Sequence, residues 1–436
     1  MVDAGSSSAA AITVAVTVVC VIWWIFEPIP IPATSLLPLA VFPLSGVLPQ
    51  STVSESYGNP LILLLLGGFL LSTAMAKSGA HRRVALSMVN AFGGANNRRL
   101  VYGFMAASAV LSMWISNTAT TLMLLPVALA IIERAENPRL ATPLLLGIAY
   151  ASSVGGIGTP IGTPPNLIFM SIYQSTTGNE ITFLEWASWG VPVVVVFVPL
   201  IALWLTRSLG SHGAIELPAV GEWRIEERRT LAVFAATAAL WVTRGEPFGG
   251  WTAWLGLPYS NDAIVALVAV VAMFIIPNGK GGRLLDWDTA ERIPWGVLIL
   301  FGGGITIAAA FEASGLSTTI GNSLAVLADW HIYAVMLVIC LAMTFLTEAT
   351  SNTATTALLM PILAAMALGA GIDPLLVMVP AAMSASCAFM LPVATAPNVI
   401  MFSTGRFAVR DMAREGFALN LIGVLVISTL CYLLIA

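Results

Sequence analysis

The chain has 436 residues, of which 58% are hydrophobic and only 9% are charged, and its formal net charge is −4. Soluble domains carry about 25% charged residues. This composition, with a mean hydropathy of +0.91, therefore excludes an ordinary water-soluble protein. The apolar runs are much longer than the strands of a membrane barrel, which alternate over about 10 residues. We therefore predict an all-α polytopic membrane protein, with the bilayer and not a nucleic acid as its surroundings.

Twelve apolar segments follow one another along the chain. They lie at 9–26, 34–49, 60–76, 100–132, 140–173, 188–206, 230–243, 262–276, 295–311, 332–369, 374–404 and 417–436. A helix crosses a bilayer in about 20 residues, so four of these segments are too long for one crossing. Ser-Asn-Thr interrupts 100–132 and 332–369, which predicts two re-entrant hairpins. Clusters of Gly, Pro, Thr and Asn interrupt 140–173 and 374–404, which predicts two broken transmembrane helices.

The distribution of basic residues tests this topology. Lys and Arg cluster in alternate connections, whereas 50–59, 174–187, 312–331 and 370–373 contain neither. Basic loops stay in the cytoplasm, and the hairpin interpretation keeps every cluster there. The result is ten crossings and two hairpins in the inner (plasma) membrane, with both termini outside the cytoplasm.

The two halves of the chain, 1–206 and 230–436, then have the same order of elements but start on opposite faces. We predict an inverted repeat of five-element units, joined by a cytoplasmic linker at 207–229. Such repeats build many secondary transporters, whose sites lie near the midplane at broken helices.

The repeat is visible in the residues themselves. SNTATT at 116–121 recurs unchanged at 351–356, and eight of eleven positions are identical when the comparison extends to Pro126 and Pro361. GTPPN at 162–166 corresponds to ATAPN at 394–398. Because the landmarks keep their order and nearly constant spacing, we interpret these motifs as paired parts of one site.

Each interruption frees backbone groups that lipid cannot satisfy. Freed amides at helix N-termini favour an anion, whereas freed carbonyls, hydroxyls and Asn oxygens suit a small cation. The alternative is that Ser and Thr only bond to carbonyls or join neighbouring helices. That alternative stays open for Ser112 and Thr347. We interpret Glu348 as a water-exposed group at the hairpin mouth, with a functional carboxylate as the alternative. Trp24 and Trp186 are interpreted as parts of aromatic belts.

With these motifs and the segment WWIFEPIPIPAT at 23–34, the chain resembles the divalent anion:sodium symporter family over nearly its whole length. The resemblance implies an elevator-type transporter that works as a homodimer. It also implies C4-dicarboxylate substrates such as succinate, malate or fumarate, or in some branches citrate or sulfate.

The resemblance also implies roles for single residues. A first sodium site would use Ser112, Ser116, Asn117 and Gly162, and a second would use Thr347, Thr350, Asn352 and Ala394. The substrate would contact Asn117, Thr118, Asn352, Thr353, Thr163 and Thr395, beside Pro164 and Ala396. Some relatives have proline at the position of Ala396, which leaves the preferred size and charge of the substrate open.

The functional prediction is sodium-coupled symport of C4-dicarboxylates, with two sodium sites and no enzymatic activity. Sodium would bind first, and its charge would compensate the dianion in a pocket without Lys or Arg. The partial charges of helix dipoles alone would not offset the cost of removing the dianion from water. The alternatives are a dicarboxylate exchanger, a proton-coupled anion carrier or, from another class, an anion channel. A membrane enzyme is disfavoured because the sequence has no HExxH and no Gly-x-Ser-x-Gly motif.

Overall fold

The computed structural model describes residues 3–93, 96–135, 137–210, 217, 219–245, 249–319 and 330–436. Within these ranges the regular structure is helical, which confirms the all-α prediction. The helices up to the linker are α1 (Asp3–Phe26), α2 (Ile31–Thr34), α3 (Leu37–Leu44), α4 (Gln50–Tyr57), α5 (Pro60–Ser78), α6 (Ala80–Phe92), α7 (Asn97–Ser112), α8 (Asn117–Arg134), α9 (Ala141–Gly155), α10 (Pro164–Thr177) and α11 (Phe183–Thr206).

The helices after the linker are α12 (Ile225–Val242), α13 (Gly250–Trp254), α14 (Asp262–Ile275), α15 (Trp287–Ala290), α16 (Trp295–Ala313), α17 (Ile332–Ala349), α18 (Asn352–Ala370), α19 (Leu375–Ser384), α20 (Ala396–Phe402) and α21 (Val409–Ile435). Eight helical stretches in the described ranges are long and apolar enough to cross a membrane. They are Ser8–Phe26, Gln50–Ser78, Ala141–Gly158, Phe183–Thr206, Trp295–Ala313, Ile332–Ala349, Asn352–Ala370 and Val409–Ile435.

The apolar segment 34–49 does not form one crossing helix. It contains the last residue of α2, then α3 and a turn, and α3 has only 8 residues, or about 12 Å of helix. Pro38 stands in the first turn of α3 and Pro43 lies inside it. Proline lacks an amide donor and clashes with the preceding turn, so the prolines of this segment disfavour one long helix.

Both Ser-Asn-Thr motifs lie where one helix ends and the next begins. The side chain of Ser116 caps α8 by accepting a hydrogen bond from the Ala119 amide (3.2 Å), and Ser351 caps α18 through the Ala354 amide (3.5 Å). Serine is a preferred N-cap because its oxygen satisfies an amide that has no partner within the helix. The Ser of each motif therefore starts a helix whose first residue is the Asn.

The two predicted broken helices are interrupted where their Gly and Pro residues lie. The first runs through α9, a tight helical turn at Gly156–Gly158 and a second turn at 159–163, and resumes as α10 at Pro164. The second runs through α19 and the turn Pro392–Ala394, and resumes as α20 at Ala396. Proline is favoured in the first turn of a helix because the amide it lacks would be unpaired there.

The helices pack as two groups. The inner group contains both hairpins and both broken helices: α7–α11 and α17–α21. The outer group consists of α1–α5, α12 and α14–α16, and α16 packs against both α10 and α18 of the inner group. The amphipathic helix α6, which was not anticipated from the sequence, packs against α5, α7 and α12 and so connects the two groups.

The predicted linker 207–229 is partly helical, since α12 begins at Ile225. Residues 211–216 and 218 of this linker lie outside the described part of the chain. Arg83 on α6 pairs with Glu227 (2.6 Å), and Lys280 pairs with Glu226 (2.6 Å). The hydrogen bond from Lys280 is the main cause that lowers the pKa of Glu226 below its ordinary value. These pairs fix the start of α12 against α6 and the loop after α14.

Candidate functional site

A cavity of about 690 Å³ lies between the two groups, where the hairpin tips and the helix breaks meet. Its volume is within the range of about 300–1,000 Å³ that is common for small-ligand sites. Both Ser-Asn-Thr motifs contribute to its wall, so Asn117 and Asn352 share one cavity although they are 235 positions apart in the chain. All eight residues predicted to contact substrate line it: Asn117, Thr118, Thr163, Pro164, Asn352, Thr353, Thr395 and Ala396.

Four helices of the inner group begin at this cavity. They are α8, α10, α18 and α20, one from each hairpin and one from each broken helix. A helix N-terminus carries the positive end of the helix dipole and amides without a partner in the helix, so these ends favour a negative group. The prolines at the starts of α10 and α20 remove some of these amides but leave the dipole in place. Among the described residues that line the cavity, none is Lys, Arg or His, and Glu27 is the one ionisable side chain.

The residues of the predicted first sodium site lie together. The Ser112 hydroxyl is fully buried and donates to Oδ1 of Asn117 (2.6 Å). A methyl group placed on Gly156 would lie 2.9 Å from Asn117 Oδ1 and 3.1 Å from the Gly162 carbonyl oxygen. Both oxygens therefore converge on the same small space. Ser116 lines the cavity beside them.

The predicted second site repeats part of this arrangement. The buried Thr347 hydroxyl lies 2.5 Å from Asn352 Oδ1, and it also lies 3.0 Å from the Ala385 carbonyl, which had not been predicted. Ala394 lines the cavity. The Thr350 hydroxyl donates to the Leu346 carbonyl (2.7 Å). It also lies 2.6 Å from the hydroxyl of Thr355, whose place in the site had not been predicted either.

Two asparagines of the GTPPN and ATAPN motifs hold the breaks in shape, a role that the sequence interpretation did not assign. Asn166 donates from Nδ2 to the carbonyls of Gly156 (2.9 Å) and Thr159 (2.8 Å). Asn398 donates to the carbonyls ten and seven residues before it, at 3.0 and 3.1 Å. Both side chains are fully buried. The shared Asn at the end of each motif was the signal that could have identified this pair.

The interpretation of Glu348 as a water-exposed group was wrong. Its side chain is 4% exposed, and it accepts hydrogen bonds from the amides of Phe389, Met390 and Leu391 (2.6–3.0 Å) and from Asn420 Nδ2 (2.8 Å). A buried carboxylate is stable only with such a set of donors. Glu348 therefore attaches the second hairpin to the second break.

The belt interpretation of two tryptophans was also wrong. Trp24 is 2% exposed, lines the cavity and donates to Ser35 Oγ (3.1 Å). Trp186 is fully buried and donates to the Ile157 carbonyl beside the first break (2.8 Å). Both indoles support the site from within the protein.

Comparisons with known proteins agree with this architecture. Residues 2–434 match the family model of the sodium:sulfate symporter transmembrane region. The sodium-dependent dicarboxylate transporter SdcS of Staphylococcus saprophyticus is 40% identical over 446 residues, which is 97% of this chain and 85% of that protein. SdcS of Staphylococcus aureus (strain NCTC 8325) is 39% identical over 443 residues, with 96% of this chain and 84% of that protein covered.

Two solved structures share the fold. The crystal structure of the Alcanivorax borkumensis YdaH transporter superposes with a TM-score of 0.64 at 15% identity, and 96% of this chain and 97% of that chain are covered. Neisseria gonorrhoeae MtrF, described as an antimetabolite efflux pump, gives a TM-score of 0.63 at 14% identity, with 97% and 94% covered. At these identities the likeness concerns the fold.

The family and the relatives are transporters, so this chain is a multi-pass plasma-membrane transporter and not an enzyme. The family resemblance of the Ser-Asn-Thr, GTPPN and ATAPN motifs is confirmed over nearly the whole sequence. The chain belongs to the divalent anion:sodium symporter family.

Proposed function

We propose that this protein is a sodium-coupled symporter of C4-dicarboxylates such as succinate, malate and fumarate. The observation that carries the proposal is the cavity where four helix N-termini meet without any lining Lys, Arg or His in the described residues. Its relatives named as sodium-dependent dicarboxylate transporters support the same substrate class.

The two carboxylates of the substrate would be held by hydroxyls and amides. Asn117, Thr118, Asn352 and Thr353 would provide donors at the two tips, with Thr163 and Thr395 at the starts of α10 and α20. Pro164 and Ala396 occupy the first helical positions there and would limit the length of the ligand by contact. An extended four-carbon dianion suits such a site because a hairpin tip can hold each end.

Two sodium ions would supply the positive charge that the side chains lack. One would be bound by Ser112, Ser116, Asn117 and the Gly162 carbonyl, and the other by Thr347, Thr350, Asn352 and the Ala394 carbonyl. The oxygens of Asn117 and Gly162 already converge, so a cation could bind there in exchange for the hydrogen bond from Ser112. These uncharged oxygen ligands suit a hard monovalent cation.

The two asparagines would couple the ions to the substrate, because each would contact sodium through Oδ1 and the substrate through Nδ2. Filling the cation sites would fix the tips and raise the local potential, so that the dianion binds next. The inner group of helices would then move as an elevator against the outer group, which would carry the interface of a homodimer.

Uptake of labelled succinate into proteoliposomes tests this proposal. We expect accumulation against the succinate gradient when an inward sodium gradient is imposed, and only slow equilibration when choline replaces sodium. Sodium-independent accumulation driven by a proton gradient would indicate a proton-coupled carrier. Counterflow in the complete absence of sodium would indicate an exchanger, and single-channel conductance would indicate an anion channel. Each of these three results would contradict the proposed symport.

A further inference from the structure

Among the described residues, one charged side chain lies in the wall of the cavity, and its charge has the same sign as the proposed substrate. Glu27 follows the last residue of α1, lines the cavity and is solvent-exposed. No ion pair in the described part of the chain involves its carboxylate. A fixed, uncompensated negative charge at this place is unfavourable for binding a dianion, so it needs another explanation.

The backbone at Glu27 ends α1 in a left-handed conformation that usually selects glycine, and its amide donates to the Trp23 carbonyl (3.0 Å). Its φ is +46°, the one positive φ at a non-glycine residue in the described ranges. Pro28 disfavours the ordinary helical conformation for the residue before it, and glycine is the unstrained choice for a left-handed one. Strained residues of this kind cluster at functional sites. Here the chain accepts the strain and keeps a carboxylate in the wall of the cavity.

The neighbours of Glu27 in the cavity wall indicate on which side of the membrane it lies. The cavity is also lined by Pro294 and Val297 at the start of α16, which follows the basic residues Arg283 and Arg292. The positive-inside rule places that end of α16, and with it Glu27, at the cytoplasmic side. This places the Glu27 carboxylate at the cytoplasmic side of the cavity.

We propose that Glu27 is an electrostatic filter at the cytoplasmic side of the site. Its charge attracts sodium and repels the dianion, so substrate that has been delivered inward leaves readily and rebinds weakly. This inference rests on the proposed function, because it assumes a dianionic substrate. The repulsion acts through water and is therefore screened by salt within about 10 Å at 0.1 M ionic strength.

Succinate binding to the purified full chain in lipid nanodiscs tests the filter, with sodium held at a constant, saturating concentration and no other salt in the low-salt measurement. At low ionic strength we expect Glu27→Gln to bind succinate about two- to four-fold more tightly than the wild type, the size of a screened Coulomb interaction near 10 Å. Glu27→Lys should bind more tightly still. Added choline chloride should bring all affinities together.

Three further variants separate charge from structure. Glu27→Asp keeps the charge and should bind as the wild type does. Glu27→Gly loses both the charge and the strain and should match Glu27→Gln. Glu55→Gln removes an exposed carboxylate outside the cavity, so its affinity should be unchanged.

The filter proposal would be wrong if Glu27→Gln bound succinate with wild-type affinity at low ionic strength. It would also be wrong if the tighter binding of this variant persisted in choline chloride. A wild-type protein that binds no succinate even in sodium would instead contradict the proposed function itself. The two failures are thus distinguishable in one set of titrations.

Discussion

Asn117 and Asn352 combine three features at the scale of single residues. Each is the first residue of a helix, each has its side-chain oxygen beside a hydroxyl five residues earlier, and each lines the cavity. Their importance could be predicted because the same six residues occur twice. A role in the site could not be assigned to the Ser112 and Thr347 hydroxyls in the same way, because a lone polar residue in an apolar helix usually bonds to its own backbone.

Removing these hydroxyls tests their proposed role as sodium ligands. We expect Ser112→Ala and Thr347→Val to raise the sodium concentration for half-maximal uptake by about five- to ten-fold, the effect of losing one oxygen contact worth about 1 kcal/mol. Sodium titration of succinate uptake measures this. Ser428→Ala is the matched control, because this buried hydroxyl donates to the Val424 carbonyl, away from the cavity. Unchanged sodium dependence in both site variants would contradict the assignment.

Glu348 was misjudged because sequence spacing does not show what a carboxylate packs against. Its partners come from 389–391 and from Asn420, more than 40 residues further along the chain. We expect Glu348→Gln to lower the free energy of unfolding by about 2 kcal/mol, since hydrogen bonds to a charged group are worth about 1.5–3 kcal/mol. Asn420→Ala, which removes one donor only, should cost about 1 kcal/mol. Thermal unfolding of the purified variants checks the order, and a fully stable Glu348→Gln protein would contradict it.

At the scale of elements, the two broken helices show which features a sequence pattern predicts and which it does not. The Gly and Pro clusters predicted where the breaks lie, because proline and glycine act locally on the backbone. The side chains of Asn166 and Asn398, which hold the breaks in shape, could not be assigned that role. Their acceptors are carbonyls that become free only once the helix is broken.

The first break depends on close backbone contact at Gly162. A Cβ atom at this position would lie 2.4 Å from the Gly156 carbonyl oxygen, so Gly162→Ala must move the backbone that forms the proposed cation site. We expect this variant to lose more than about ten-fold in sodium-dependent uptake, because a displacement of about 1 Å already disrupts a preorganised site. Gly245→Ala is the control, since no heavy atom lies within 4 Å of its Cβ position. Normal uptake by Gly162→Ala would show that the break tolerates a side chain.

At the scale of the whole molecule, the inner and outer groups meet at several pairs of helices, and α16 against α18 is one such pair. The composition and the basic loops predicted the membrane class and the order of elements. They did not predict that α6 would connect the groups or that segment 34–49 would divide. Both depend on tertiary packing, which cannot be predicted from the pattern of residues within one segment.

A cross-link between the groups tests the elevator motion. A Cβ on Gly304 of α16 would lie 3.1 Å from Cβ of Ala357 of α18, so cysteines at the two positions are close enough for a disulfide after slight adjustment. We expect oxidation of Gly304→Cys/Ala357→Cys to stop uptake and a reductant to restore it. Gly67→Cys/Ala266→Cys joins two helices of the outer group and should transport in either redox state. Full uptake by the cross-linked first pair would exclude sliding of α18 past α16.

The central claim is that cations compensate a dianion in one cavity formed by both halves of the chain. Calorimetric titration of succinate onto the purified wild type, in sodium chloride and in choline chloride, tests it most directly. We predict binding in sodium that falls at least ten-fold in choline, and a reciprocal gain of the same factor in sodium affinity when succinate is present. Equal succinate affinity in the two salts would contradict the account.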